Sequence, residues 1–155
     1  MDASAISQII FLIILLILSA FFSSAETALT TVNKIRMRTL ADDGNKRAEQ
    51  VLRITDDSHK MLSAILIGNN IVNLSASSLA TTLAIKLWGS VGAGIATGIL
   101  TFLILVFGEI SPKTFATLYA DQISIAYSGI IGFLMKILTP VIFLVNQFSM
   151  GFLFL

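Results

Sequence analysis

The sequence predicts an all-α integral membrane protein with three transmembrane helices. Two observations predict this class. Hydrophobic residues make up 55% of the 155 residues and charged residues only 12%, and the mean hydropathy is +0.90. Soluble domains carry about 25% charged residues, so this chain lacks the polar surface that a soluble globule needs. The composition therefore excludes a soluble enzyme and a nucleic-acid-binding domain, and the net charge of +1 indicates no polyanionic partner.

Three uncharged runs predict the spans, at about residues 5–29, 61–85 and 90–118, the last continuing past Glu109. Each run can cross a hydrocarbon core of about 30 Å, which takes about 20 helical residues. The first run is not a signal peptide, because no Lys or Arg precedes it and it is longer than the apolar region of such a peptide. A single multi-pass membrane domain over residues 1–155 follows.

The basic residues predict the orientation of these spans. Seven of the ten Lys and Arg residues lie between the first two spans, and residues 1–33 have none. The positive-inside rule therefore places residues 31–60 in the cytoplasm, the N-terminus outside, and the C-terminus in the cytoplasm after three spans. Residues 31–60 also interleave apolar and charged positions around a turn-forming run at residues 42–45, which predicts an amphipathic hairpin.

Residues 123–155 allow two topologies, because Pro140 interrupts an apolar stretch. One is a fourth span kinked at Pro140, and the other is a membrane-peripheral hairpin of two helices. Lys136 would lie near the middle of a fourth span, where a charge costs about 2.5–3.5 kcal/mol on insertion scales. This cost favours the hairpin.

Polar residues within the spans form three clusters, and such residues need a partner or a water-filled cavity inside a bilayer. The first is SAFFSSAETALT in span one, where Ser19 and Ser23 share a helical face. Glu26 extends this face and lies close enough to the following loop to pair with one of its basic residues. Serine alone is weak evidence, because its hydroxyl often bonds back to its own helix.

The second cluster is IGNNIVNLSASS in span two. Asn70, Asn73 and Ser77 follow the i, i+3, i+7 spacing, which predicts one stripe on the helix. A lone asparagine would join two helices by a hydrogen bond, but three asparagines in five residues exceed that need. The cluster therefore indicates a binding site.

The third cluster is FGEISPKTFA in span three. Pro112 has no N–H to pair with the carbonyl of Gly108, four residues earlier, and Glu109 places a carboxylate beside that carbonyl. Lys113 lies four residues after Glu109, so the two can also form an ion pair.

All of these groups offer oxygen ligands, which suit hard cations such as Mg²⁺, Ca²⁺, Na⁺ or Mn²⁺. The chain has no cysteine and a single histidine, which excludes thiolate and histidine-rich sites. We therefore predict a membrane cation site that belongs to a transport pathway. Three spans are few to enclose a pathway, so we expect a homodimer. Gly94 and Gly98 have the spacing of close helix packing, either between two copies or within one.

The three motifs together resemble the transmembrane domain of the bacterial CorC/CorB proteins and the animal cyclin M (CNNM) proteins. The resemblance covers the whole chain. It implies export of Mg²⁺ across the cell membrane, coupled to Na⁺ entry by alternating access, in a dimer with three spans and a peripheral helix pair per chain. The metal-binding positions that it implies are Ser19, Ser23, Asn70, Asn73, Gly108 and Glu109. Lys113 closes the third motif, and its role would be structural or gating because a cation cannot bind a cation. The helix break from Gly108 to Pro112 is the candidate hinge.

Members of that family continue into paired nucleotide-binding modules of the cystathionine-β-synthase type. We therefore expect this chain to be the membrane domain of a longer protein. Two other functions stay open: a membrane Mg²⁺ sensor that does not transport, and a small proton-coupled multidrug exporter built around one intramembrane glutamate. No nucleophile–base pair is visible, so we expect no enzyme.

Overall fold

The computed structural model describes residues 2–155, and every regular element in this part of the chain is helical. The elements in chain order are α1 (Ala3–Thr31), α2 (Lys34–Asp42), α3 (Lys46–Asp56), α4 (Ser58–Trp88), α5 (Ser90–Leu103), a π-helical segment (Ile104–Ile110), α6 (Ser111–Leu118), α7 (Ala120–Ile137) and α8 (Thr139–Leu153). The predicted all-α membrane class is thereby confirmed.

Three continuous helices are long and apolar enough to cross a membrane. Span 1 is α1, span 2 is α4, and span 3 comprises α5, the π-helical segment and α6. The spans have 29, 31 and 29 residues. At 1.5 Å per residue each is about 44 Å long or more, so their ends extend beyond a hydrocarbon core of about 30 Å. Each predicted span lies within one of these helices.

Spans 2 and 3 are joined by Gly89 alone. Its φ of +77° lies in the left-handed region that favours glycine, and its N–H donates to the carbonyl of Ile85 at 2.9 Å. Gly92 follows one turn later, and a methyl group there would lie 2.7 Å from the carbonyl oxygen of Ala84. The two spans therefore approach each other closely at this end of the bundle, which we name the Gly89 end.

Span 1 begins at the same end, where Asp2 caps its first turn. The Asp2 carboxylate accepts a hydrogen bond from the Ala5 N–H at 2.8 Å and lies 3.6 Å from the Lys86 ammonium. That hydrogen bond, and then the charge of Lys86, lower the pKa of Asp2 below its usual range. The ion pair ties the start of span 1 to the end of span 2.

The opposite end of the bundle, which we name the hairpin end, carries α2 and α3. Asn33 and Asn45 cap these two helices, and the turn between the helices contains Gly44 with a φ of +95°. The amphipathic pattern buries Met37 of α2 and Val51 of α3. Both belong to one apolar core with residues of spans 1 and 2. The predicted hairpin is therefore present and packs against the bundle.

Helices α7 and α8 are bent by 66° at Leu138. Helix α7 contacts α1, α3 and α4, and its Ile131 is fully buried. Tyr127 packs on Phe21 of span 1 with ring centroids 4.6 Å apart. The two helices thus form a bent pair held at the hairpin end of the bundle, and a bend of this size fits both the membrane-peripheral pair that Lys136 favours and a span kinked near Pro140.

Candidate metal-ion site

Three spans meet at Ser19, Asn73 and Gly108. Ser19 is buried on span 1, and its hydroxyl donates to the amide oxygen of Asn73 on span 2 at 2.8 Å. Gly108 of span 3 is also buried, and a methyl group there would lie 2.9 Å from the Ser19 hydroxyl oxygen. Ser19 therefore contacts span 2 through the Asn73 amide and span 3 through the backbone at Gly108. The structure brings these three predicted site residues together.

Gly108 lies in the π-helical segment, where the backbone does not follow the α-helical hydrogen-bond register. The N–H of Ser111 donates to the carbonyl of Val106, five residues earlier, and Pro112 has no N–H. The α-helical register resumes after Lys113, so the N–H groups that follow it pair with carbonyls beyond residue 109. Only the Lys113 N–H is left for the three carbonyls of residues 107–109. These three carbonyls cannot all be paired within the helix. A backbone oxygen is therefore left unpaired in the turn around Gly108, which packs on Ser19.

The charged groups near this contact are two carboxylates and one ammonium. The Lys113 ammonium lies 3.5 Å from a Glu109 oxygen, as the sequence spacing allowed, and 3.8 Å from a Glu26 oxygen. Glu26 therefore pairs with Lys113 across two spans, and not with the loop that follows span 1. The side chains are partly exposed, at 26% for Glu109 and 31% for Glu26. The rest of the chain therefore does not enclose them.

Comparison with known protein families identifies the fold that carries this arrangement. Residues 10–155 match the family described as "Cyclin M transmembrane N-terminal domain". The chain belongs to this family. The resemblance inferred from the three motifs is thereby confirmed.

Relatives of this cyclin M domain come from bacteria and plants. A "UPF0053 protein" of Haemophilus influenzae is 46% identical over 96% of this chain and 36% of its own length. The "UPF0053 inner membrane protein YfjD" of Escherichia coli is 41% identical over 85% of this chain and 31% of its own. The "DUF21 domain-containing protein At1g55930, chloroplastic" of Arabidopsis thaliana is 38% identical over 94% and 22%. The chain thus spans about a third or less of these relatives.

Ser23 and Asn69 of this cyclin M domain bring further oxygens into the interior. Ser23 is fully buried, and neither its hydroxyl nor the buried amide oxygen of Asn69 has a hydrogen-bond partner among residues 2–155. An unpartnered buried oxygen costs about 1–3 kcal/mol, so such atoms mark places where a ligand or water completes the structure. Asn69 was not among the predicted ligands. Its spacing of four from Asn73, which gives a shared face, could have indicated it.

Asn70 and Ser77 of span 2 are more exposed than Asn73. Both are exposed in the single chain, whereas Val72 and Ala76 beside Asn73 are buried. Of the predicted stripe of Asn70, Asn73 and Ser77, Asn73 lies at the edge nearest the neighbouring spans, and the other two lie about 60° and 40° further round the helix. Asn70 stays a predicted ligand that the single chain does not bring to Ser19.

The described residues contain no group of three or more His, Cys, Asp and Glu side chains that could hold a metal ion. Any cation at this contact must therefore be held mainly by neutral oxygens. Hydroxyl, amide and carbonyl groups bind hard cations. Few ligand charges favour a site that releases its ion again.

Proposed function

We propose that this chain is the membrane domain of a transporter that exports Mg²⁺ across the cell membrane, coupled to Na⁺ entry. The observation that carries the proposal is the meeting of Ser19, Asn73 and Gly108 from three different spans. A site shared by three spans changes its geometry whenever one span moves against the others. Alternating access to a cation requires such a coupling between binding and helix movement.

The chemistry of the contact fits Mg²⁺ as the transported substrate. Mg²⁺ prefers six oxygens at about 2.0–2.1 Å and loses its water reluctantly. The Ser19 hydroxyl, the Asn73 amide oxygen and an unpaired carbonyl near Gly108 supply oxygens from fixed positions. Glu109, and the predicted ligands Ser23 and Asn70, complete the proposed set. Na⁺ would use the same oxygens or a neighbouring group of them.

Lys113 is proposed as the gating residue. Its single positive charge is shared between the Glu26 and Glu109 carboxylates in the conformation described here. A Mg²⁺ ion approaching Glu109 would repel this ammonium and take over its electrostatic role. Removing the charge by Lys113→Met should therefore tighten Mg²⁺ binding and slow its release. Pro112 is proposed as the hinge, because it lies two residues after the end of the π-helical segment.

We further propose that residues 31–60 and the C-terminus face the cytoplasm and the N-terminus faces outward, on the distribution of basic residues. A homodimer is proposed on the exposed polar face of span 2, which a lipid environment would leave unsatisfied. Nucleotide-binding modules in the remainder of a longer protein belong to the same proposal.

Mg²⁺ flux in proteoliposomes under an imposed Na⁺ gradient tests the function. The variants are Asn73→Ala and Glu109→Gln, with Asn146→Ala and Glu49→Gln as matched controls outside the contact. We expect Na⁺-dependent flux in the wild type and the controls, and a loss of about tenfold or more in the two site variants. Asn73→Ala removes a ligand oxygen and Glu109→Gln removes a ligand's negative charge, and each change costs about 1.4 kcal/mol or more.

The other outcomes are informative. Mg²⁺ binding by isothermal calorimetry without any flux, in this chain and in the full-length protein, would overturn transport in favour of a sensor. Flux of an organic cation driven by a proton gradient, unaffected by Asn73→Ala, would favour the multidrug exporter. Lys113→Met in the same two assays tests the gating role.

A further inference from the structure

A cavity of about 350 Å³ with both charged and apolar lining residues lies at the hairpin end, between α3, the first turn of α4 and the second half of α7. It is separate from the contact of Ser19, Asn73 and Gly108. Its charged lining consists of Arg53, Lys60 and Lys136 with one carboxylate, Asp57. Three positive charges and one negative charge leave the cavity with a net charge of +2.

The three basic side chains are without an ionic partner in the described part of the chain. The four ion pairs formed by residues 2–155 involve Arg36, Lys86 and Lys113 instead. Asp57 is engaged as the cap of span 2, where its carboxylate accepts from the Lys60 N–H at 3.4 Å. Like charges that line one concave surface reinforce each other's potential, so the cavity attracts an anion.

Two glycines of α7 form one wall of the cavity, Gly129 and Gly132. A methyl group at Gly132 would lie 3.2 Å from the amide nitrogen of Gln50, and one at Gly129 would lie 3.8 Å from the Gln50 amide oxygen. The glycines thus leave room for the Gln50 amide against α7. The amide adds a neutral hydrogen-bonding group to the three cations, a combination that suits phosphate oxygens.

An exposed apolar surface begins at the mouth of this cavity. Phe133 lines the cavity and is 62% exposed, and Ile130 and Ile137 on the same helix are 53% and 54% exposed. Helix α8 continues the surface with Phe143 and Phe148, at 63% and 73%. An apolar surface of this extent requires a nonpolar neighbour. An anionic group joined to hydrocarbon chains matches the cavity and this surface together.

We propose that the cavity binds the phosphate of an anionic phospholipid, with the acyl chains along the exposed surface of α7 and α8. The depth of the cavity in the membrane suits a lipid headgroup, because Lys60 lies in the first turn of span 2, where a headgroup would be. The bound lipid would hold α3 against α7. Since α7 also packs on span 1 through Tyr127 and Phe21, lipid binding would stabilise the hairpin end of the helices that carry the ion contact.

The test compares phosphatidylglycerol with phosphatidylcholine. The purified chain is delipidated in detergent and supplemented with either lipid, and bound lipid is counted by native mass spectrometry while thermal unfolding is followed by circular dichroism. We expect about one retained phosphatidylglycerol per chain and a melting temperature about 5 °C higher than with phosphatidylcholine.

The decisive variant is Arg53→Gln/Lys60→Gln/Lys136→Gln. Its matched control, Lys34→Gln/Arg38→Gln/Arg47→Gln, makes the same change of net charge on α2 and α3 at exposed positions outside the cavity. We expect the cavity variant to lose the retained lipid and the melting difference, and the control to keep both. The single change Lys136→Gln, at an exposed position near the end of α7, replaces the triple variant if that variant does not fold.

Three results would overturn the proposal. Equal loss in the cavity variant and the control would mean that basic residues attract lipid only as a diffuse surface charge. Equal retention of the two lipids by the wild type would remove the need for an anionic site. Stabilisation by inorganic phosphate in lipid-free detergent, without any preference for phosphatidylglycerol, would assign the cavity to a soluble anion.

Discussion

At the residue scale, the candidate site depends on the absence of a side chain at Gly108. The Ser19 hydroxyl occupies the space that a methyl group would need, and it is oriented toward the Asn73 amide. Serine could avoid a methyl group by rotating, but rotation would break its hydrogen bond to Asn73. Gly108 therefore leaves the Ser19 hydroxyl in the position from which Ser19 and Asn73 can both face a cation.

Gly108→Ala tests this dependence, with Gly151→Ala on α8 as its control. A methyl group at Gly151 would meet no atom within 4 Å, so the control changes helix propensity without crowding a neighbour. We expect Gly108→Ala to weaken Mg²⁺ binding about tenfold or more, because losing one partner of a buried hydrogen bond costs about 1–3 kcal/mol. Calorimetric titration of both variants measures the effect. Wild-type affinity in Gly108→Ala would show that Ser19 is not a ligand.

At the element scale, the π-helical segment leaves backbone carbonyls without hydrogen bonds although the helix continues through it. Span 3 stays helical from Ser90 to Leu118, yet at residues 107–109 its carbonyls outnumber the available N–H groups. A π-helical turn carries an extra residue relative to the α-helical pattern, and such turns are frequent at functional sites. The span thus presents an unpaired backbone oxygen without a loop inside the membrane.

Pro112→Ala supplies the missing N–H and should pair one of these carbonyls. We expect Mg²⁺ binding to weaken about twofold to tenfold, since a hydrogen bond of about 0.5–1.5 kcal/mol then competes with the ion. The melting temperature without Mg²⁺ should stay equal or rise, because a backbone group gains a partner. Pro140→Ala, at the bend between α7 and α8, is the control and should leave binding unchanged. Unchanged binding in Pro112→Ala would exclude a backbone ligand at this turn.

At the scale of the whole molecule, the single chain leaves a polar face of span 2 uncovered. Asn70 and Ser77 are exposed there, beside Leu74 at 72% exposure. Gly94 and Gly98 of span 3 have no atom within 4 Å of a methyl group placed on them, so their spacing serves no contact within the described chain. Both observations support the proposed homodimer, in which a second copy would cover these surfaces.

Cross-linking tests the homodimer cleanly, because the chain contains no cysteine. We expect Ser77→Cys to form a covalent dimer with a short bifunctional thiol reagent in membranes. Ile17→Cys, on span 1 at 62% exposure, should stay monomeric as a lipid-facing control. Equal cross-linking of both variants would indicate random collision, and cross-linking of neither would place the interface elsewhere than the Ser77 face.

The sequence predicted most of this arrangement because hydropathy and charge are strong signals in membrane proteins. The spans, the amphipathic hairpin and the bend near Pro140 follow from apolar length, basic residues and proline. The contact of Ser19 with Asn73 was harder to predict, since it depends on the rotation of two helices about their axes. A one-residue difference separates inward-facing Asn69 from outward-facing Asn70. Pro112 indicated an interruption of the backbone hydrogen bonds, but no sequence pattern indicates the extra residue of the π-helical segment.

The turn at Gly89 limits how this molecule can change shape. With one residue between them, and with Gly92 against the Ala84 carbonyl, spans 2 and 3 are held together at the Gly89 end. Separation of spans 2 and 3 can therefore widen a passage only toward the hairpin end. A passage toward the Gly89 end must instead arise from displacement of span 1. Among the ion pairs of residues 2–155, only Asp2–Lys86 holds span 1 at this end. The inner and outer gates of such a transporter would therefore be formed by different helices.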